Sequence, residues 1–151
     1  MLSLSNTTGY AIKALTFLSS YGEVPALIQD ISEGTGVPAP YLAKIVRKLH
    51  IAGIVTAKRG YKGGVLLARS TDRITLYDVG LAIEGSDLIG QCLLGKIFCE
   101  DLSACPTWEF WEKTGAAIRD ELSRITVADV VALKKRSSSC VNSAGNKLLR
   151  G

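Results

Sequence analysis

Residues 39–68 read APYLAKIVRKLHIAGIVTAKRGYKGGVLLA, and the change of period inside this stretch decides the fold. Over 39–52, Leu42, Ile45, Val46 and Leu49 fall on one face of a helix, while Lys44, Arg47 and Lys48 fall on the opposite face at steps of three and four. Pro40 suits the first turn of that helix, and Gly53 suits the position just past its end. One side of the helix therefore packs, and the other is free to enter a groove. Beyond Gly53 the helical period stops. Two β-prone runs, 54–58 and 65–68, flank Arg59-Gly60-Tyr61-Lys62-Gly63-Gly64, which reads as a hairpin with a basic, glycine-rich tip. Glycine there permits positive φ and keeps the tip slim.

Upstream, 8–20 is an amphipathic helix with Ala11, Ala14, Leu15 and Leu18 on one face, and 28–35 is a second, short helix stopped near Gly34 and Gly36. Helix, short helix, basic helix and basic-tipped hairpin make a winged helix-turn-helix. The expected fold is mainly α with a small β-hairpin wing, followed by a long C-terminal dimerisation helix. Thr75-Leu76-Tyr77-Asp78 resembles a capping box, with Asp in place of Glu, for a short helix to about Ile83. Residues 86–105 lack strong periodicity and read as a loop. The longest helix covers 107–125, where Trp108, Trp111, Gly115, Ile118, Leu122 and Ile125 form a seam for a second copy of the chain, the alternative being burial within one chain. Thr126 is placed to cap a last short helix through Leu133, and the polar remainder is expected to be disordered. The chain thus divides into a winged helix-turn-helix DNA-binding domain (1–84), a cysteine loop (85–106), the dimerisation helix with a short terminal helix (107–133) and a tail (134–151).

Charge follows this division. Residues 1–80 carry nine Lys or Arg against five acids, 81–133 carry four against nine, and 134–151 carry five against none. Between Gly36 and Lys62 there are six basic residues and no acid, a pattern that suits a polyanion. Hydrophobic content of 47% and charged content of 21% are those of an ordinary globular protein. No stretch approaches the roughly 18 apolar residues of a membrane span, and the first residues lack the basic-then-apolar pattern of a secretory signal, so a cytoplasmic protein without a membrane partner is expected. An enzyme is disfavoured. There is no Cys-x-x-Cys, Ser-His-Asp or phosphate-loop pattern, and the one histidine, His50, lies near the end of the basic helix.

Cys92, Cys99 and Cys105 stand in the loop with six and then five residues between them. Grouped thiolates are soft ligands able to hold a metal or an iron–sulfur cluster. Zinc is the weaker fit, because there is no Cys-x-x-Cys pair and no nearby histidine to complete a tetrahedral site. Three thiols without a fourth favour a 4Fe–4S over a 2Fe–2S cluster.

These features together resemble the Rrf-two family of bacterial winged-helix regulators, in the branch of the iron–sulfur cluster assembly regulator and the nitric-oxide-sensitive repressor. The resemblance spans about 4–133. It rests on Gly9-Tyr10-Ala11, Asp30-Ile31-Ser32, Tyr41-Leu42 with Leu49, and above all on the wing from Val55 to Gly64. It implies a homodimer on a double-stranded DNA operator, with recognition helices in major grooves and wings at minor grooves. Pro40, Tyr41, Lys44, Arg47 and Lys48 would then face DNA from the helix, and Lys58, Arg59 and Lys62 from the wing. The cysteine triplet falls where cluster-binding members carry their ligands. A cluster held by Cys92, Cys99 and Cys105 would let operator binding follow iron–sulfur status, redox state or nitric oxide. The alternative is a cluster-free regulator that responds to a metabolite or to thiol oxidation. The family's usual fourth ligands are a histidine three residues past the last cysteine, here Trp108, or an acid in the partner's first helix, here Thr8-Gly9. Glu100, Asp101, Glu109, Cys140, a small molecule or no protein group remain as candidates.

Overall fold

The computed structural model describes residues 4–89 and 105–145. Among the described residues, six α-helices and one hairpin follow in the order α1 (Asn6–Tyr21), α2 (Ile28–Thr35), α3 (Ala39–Ile51), β1 (Val55–Lys58), β2 (Gly64–Leu67), α4 (Leu76–Glu84), α5 (Trp108–Arg124) and α6 (Val127–Gly145). The hairpin is antiparallel, pairing Val55 with Leu67 and Lys58 with Gly64. The mainly α, winged-helix class expected from the periodicities is what the chain adopts.

The ends of the helices are set by particular side chains and glycines. Ser5 caps α1 by accepting from the Thr8 amide at 3.2 Å. α2 stops where Gly36 takes φ 71° and its amide returns to the Ser32 carbonyl. At the end of α3, Gly53 adopts φ 67°, its amide bonds the His50 carbonyl, and the Ile54 amide reaches back to Leu49. This six-to-one and five-to-two pair is a Schellman motif, and Ile54, fully buried, supplies its apolar contact. The motif turns the chain sharply from recognition helix into wing. Thr75 and Asp78 form the expected capping box on α4, each side chain taking the other's amide at 3.0 and 3.1 Å.

One core lies under the head. Ala11, Ala14, Leu15 and Leu18 of α1, Ile31 of α2 and Leu42, Ile45, Val46 and Leu49 of α3 close on one another. Ile54, Val55 and Val65 bring the wing's root into the same core. Burying each Leu, Ile or Val side chain of this set contributes about 1.5–3 kcal/mol against leaving it in water. Val127, the first residue of α6, is also in this core. It is held there by a short antiparallel bridge, Leu76 amide to Ile125 carbonyl and Val127 amide to Ile74 carbonyl. The corner between α5 and α6 is thereby sewn to the start of α4, and α6 lies along α1.

Two expectations about the C-terminal part change. α6 does not stop near Leu133 but continues to Gly145. From Val127 to Ala144 the sequence has neither glycine nor proline, and serine is only mildly unfavourable in a helix, so nothing local ends it before Gly145. Thr126 caps it as expected; its amide and hydroxyl together hold the Asp129 carboxyl below the usual carboxylate range. The seam of α5 is also partly covered within the chain. Trp111 and Gly115 are buried, and Trp108, Ile118, Leu122 and Ile125 are half-buried. α4 provides much of that cover.

Candidate nucleic-acid interface and cysteine site

α3 and the wing face each other across an open groove of about 550 Å³. From α3 the groove is lined by Ala43, Val46, Arg47 and His50, and from the wing by Lys58, Arg59, Gly60 and Gly63. The wing is held in place from behind. Ala26, in the connection between α1 and α2, exchanges two backbone hydrogen bonds with Val65, at 3.0 and 2.8 Å. At the tip, Gly60 has φ 94° and Lys62 has φ 57°, and the turn closes with the Gly63 amide on the Gly60 carbonyl. Gly63 is required there: a Cβ would fall 2.3 Å from the Lys58 carbonyl oxygen. Tyr61 projects from this tip with 92% of its surface exposed, and the Lys62 ammonium sits 5.7 Å above its ring.

The sequence-predicted residues separate into sets. Lys58, Arg59 and Lys62 are exposed on the wing, and Pro40, Tyr41, Lys44 and Arg47 are exposed on α3. Arg47, Lys58 and Arg59 are brought to the common groove. Tyr41 lies on the other edge of α3, where its ring meets that of Tyr10 edge-on at 6.4 Å. Lys48 is exposed on α3 as well but does not line that groove. Its ammonium donates to the carbonyl of Ile83 at the end of α4. Periodicity puts Lys44, Arg47 and Lys48 on one broad face, but α4 packs along the Lys48 edge and offers an unpaired helix-end carbonyl there. Two residues facing this surface escaped the sequence reasoning. His50 lines the groove with Nδ1 3.2 Å from the Val55 carbonyl, and Tyr61 caps the wing. The spacing 43, 47 and 50 along one helical edge was the available signal for His50.

Of the cysteines, Cys92 and Cys99 lie outside the described residues, as do Glu100 and Asp101. Cys105 is half-buried just before α5, with Sγ 3.4 Å from the Thr107 hydroxyl and its carbonyl accepting from the Trp108 amide. A negative charge is favoured at this end of a helix, which suits a thiolate ligand. The donor chemistry of the stretch, three soft thiols between α4 and α5, fits an iron–sulfur cluster. Other positions considered for a fourth ligand have occupations of their own. Glu109 pairs with Lys113 at 2.6 Å on the exposed side of α5, and the buried Thr8 hydroxyl donates to Glu84. Cys140 falls within α6, and its side chain is outside the described residues.

A buried helical core that presents a basic helix and a basic wing across one groove defines a winged helix-turn-helix DNA-binding regulator. The chain belongs to the Rrf2 family, whose model, described as an iron-dependent transcriptional regulator, matches residues 4–133. It is 30% identical over 146 residues to the protein Rrf2 of Nitratidesulfovibrio vulgaris, covering 96% of this chain and 95% of that one. It is 31% identical to the HTH-type transcriptional regulator IscR of Erwinia tasmaniensis, over 86% of this chain and 79% of that one. Among solved structures, IscR of T. potens superposes with a TM-score of 0.69 at 29% identity, covering 90% of each chain. CymR, the global cysteine regulator of B. subtilis, superposes with a TM-score of 0.70 at 27% identity, covering 88% of this chain and 98% of that one. The family is one of transcriptional regulators, not of enzymes. Among the described residues, no helix is long and apolar enough to cross a membrane.

Proposed function

We propose that this protein is a cytoplasmic, homodimeric transcriptional regulator whose hold on its operator is set by an iron–sulfur cluster on Cys92, Cys99 and Cys105. The observation that carries the DNA-reading half is the groove in which Arg47 of α3 faces Lys58 and Arg59 of the wing. Pro40, Tyr41, Lys44 and Arg47 meet the major groove, and Lys58, Arg59 and Lys62 meet the adjoining backbone and minor groove. Arg59 is the principal minor-groove group, because a planar cation on a slim tip is drawn by the strong negative potential of a narrow groove. Residues 1–84 form the reading head, and the exposed parts of the α5 seam pair two heads.

The cluster supplies an iron centre that responds to oxidant or nitric oxide, and a three-thiol set favours the 4Fe–4S form. The cysteines follow directly on α4 and end at α5, so what they bind bears on both the head and the dimer helix. The family's description as iron-dependent supports this assignment. A second reading, a cluster-free regulator responding to a metabolite or to thiol oxidation, has support in the likeness to a global cysteine regulator.

Replacing Arg59 with alanine tests the wing. Operator binding should weaken, and the slope of log affinity against log salt should fall by about one unit, as for the loss of one phosphate-neutralising cation. Titration at several salt concentrations measures both; unchanged affinity and slope would remove the wing from the interface.

A further inference from the structure

The last turn of α4 is fastened on two sides. On one, the Glu84 carboxylate accepts from the Ser5 amide at 3.1 Å and from the Thr8 hydroxyl, at the N-terminal end of α1. On the other, the Lys48 ammonium reaches from α3 to the Ile83 carbonyl. Both contacts follow helix-end electrostatics: an anion sits at the positive end of α1, and a cation sits at the carbonyl end of α4. Directly afterwards the chain leaves α4 at Gly85, with φ 71°, and in sequence the cysteine segment follows.

The first residues of that departing chain are themselves keyed into the helices. Leu88 packs so closely on Gly80 of α4 that a Cβ there would lie 2.6 Å from Leu88 Cδ1. Ile89 rests on Gly115 of α5, where a Cβ would come within 3.2 Å of Ile89 Cγ2. A contiguous series of close contacts thus runs from α5 through Ile89 and Leu88 to α4, and through Lys48 to the recognition helix. Tightly packed elements of this kind transmit small displacements because they cannot deform continuously.

We propose that the Ile83–Glu84 turn is the joint through which the cysteine segment acts on the recognition helix, and that Lys48 is a positioning residue for α3 and not a phosphate contact. The proposal rests on the cluster-controlled function argued above. It separates two roles for one lysine that make opposite predictions. A phosphate anchor changes the salt dependence of every DNA complex. A positioning residue changes how far the cluster moves operator affinity.

The test compares wild type, Lys48→Met and Lys48→Arg, each anaerobic, cluster-loaded and cluster-free, on a duplex enriched from a random-sequence pool by the wild-type protein in both forms. Lys48→Met should keep the cluster absorption and the salt slope. The wild-type ratio of affinities between the two forms, expected in the range of about 5–150-fold for such coupling, should shrink to within about twofold. Lys48→Arg, which keeps a donor for the Ile83 carbonyl, should restore most of it. A slope lower by about one unit with the ratio intact would make Lys48 a phosphate contact and overturn the proposal. An unchanged ratio and slope, or loss of iron and sulfide uptake in Lys48→Met, would overturn it as well. Should Lys48→Met fail to fold, Glu84→Ala opens the other side of the same turn and is read by the same ratio. A wild type with equal affinity in both forms overturns the cluster-controlled function itself, a result distinct from a responsive wild type with an equally responsive variant.

Discussion

Gly64→Ala is expected to lower stability by about 2–4 kcal/mol, a fall in Tm of roughly 5–15 °C, and to weaken operator binding more than Arg59→Ala does. Gly64 opens β2 with φ 151°, a conformation that a residue with a Cβ resists. Space is short as well. A Cβ there would lie 2.7 Å from the Ala26 carbonyl oxygen and 2.9 Å from the Pro25 carbonyl carbon, both backbone atoms of the connection between α1 and α2. The wing can accept the methyl only by lifting away from that connection, which breaks the two hydrogen bonds between Ala26 and Val65. Lys58 and Arg59 would then leave their positions opposite Arg47. Thermal unfolding and operator titration on one sample measure both effects. A variant with wild-type Tm and affinity would show that the suture to Ala26 does not hold the wing.

Replacing Cys92, Cys99 or Cys105 singly with alanine is expected to abolish the visible charge-transfer absorption that anaerobic reconstitution with iron and sulfide gives the wild type. The effect is all-or-none in character because this stretch offers three thiols and holds none in reserve. Cys105 is the position for which the surroundings are known. It sits half-buried before α5, in contact with the Thr107 hydroxyl, so its loss removes a ligand without disturbing the core. Thermal unfolding of the cluster-free Cys105→Ala variant should match that of the cluster-free wild type. Three variants that bind iron and sulfide like the wild type would remove the cysteines from the site.

Much of the head was legible in the sequence because its signals are local. The inward residues of α1, the bounds of α2, the Gly53 turn and the Thr75–Asp78 box each depend on a few neighbouring residues, and the structure has them as the periodicities predict. The wing was legible for the same reason: a glycine-rich basic tip between two β-prone runs leaves few alternatives.

What was not legible depends on contacts distant in sequence. Helical spacing puts Lys44, Arg47 and Lys48 on one face, but only the packing of α4 decides that Lys48 turns to Ile83 while Arg47 turns to the wing. His50 is one turn beyond Arg47 on the groove edge, a fact that becomes meaningful only once the wing's position is known. The seam of α5 reads as a continuous interface from its heptad spacing, yet α4 and Ile89 already cover part of it. The bridge between Thr75 and Thr126, fifty-one positions apart, has no sequence signature at all. For the cysteines the position runs the other way. Their grouping is plain in the sequence, and Cys92 and Cys99 lie outside the described residues, so the cluster stands on thiol chemistry and on the family's description.

Coupling of a metal-bearing cysteine set to a DNA-reading head has one immediate consequence, that operator affinity follows the cluster. Operator affinity is measured on a single anaerobic preparation before and after its cluster is removed by chelation, with absorption recorded alongside. The expected result is an iron–sulfur absorption that disappears on chelation together with a change in affinity of at least about fivefold. Equal affinity before and after, with the absorption lost, would contradict it.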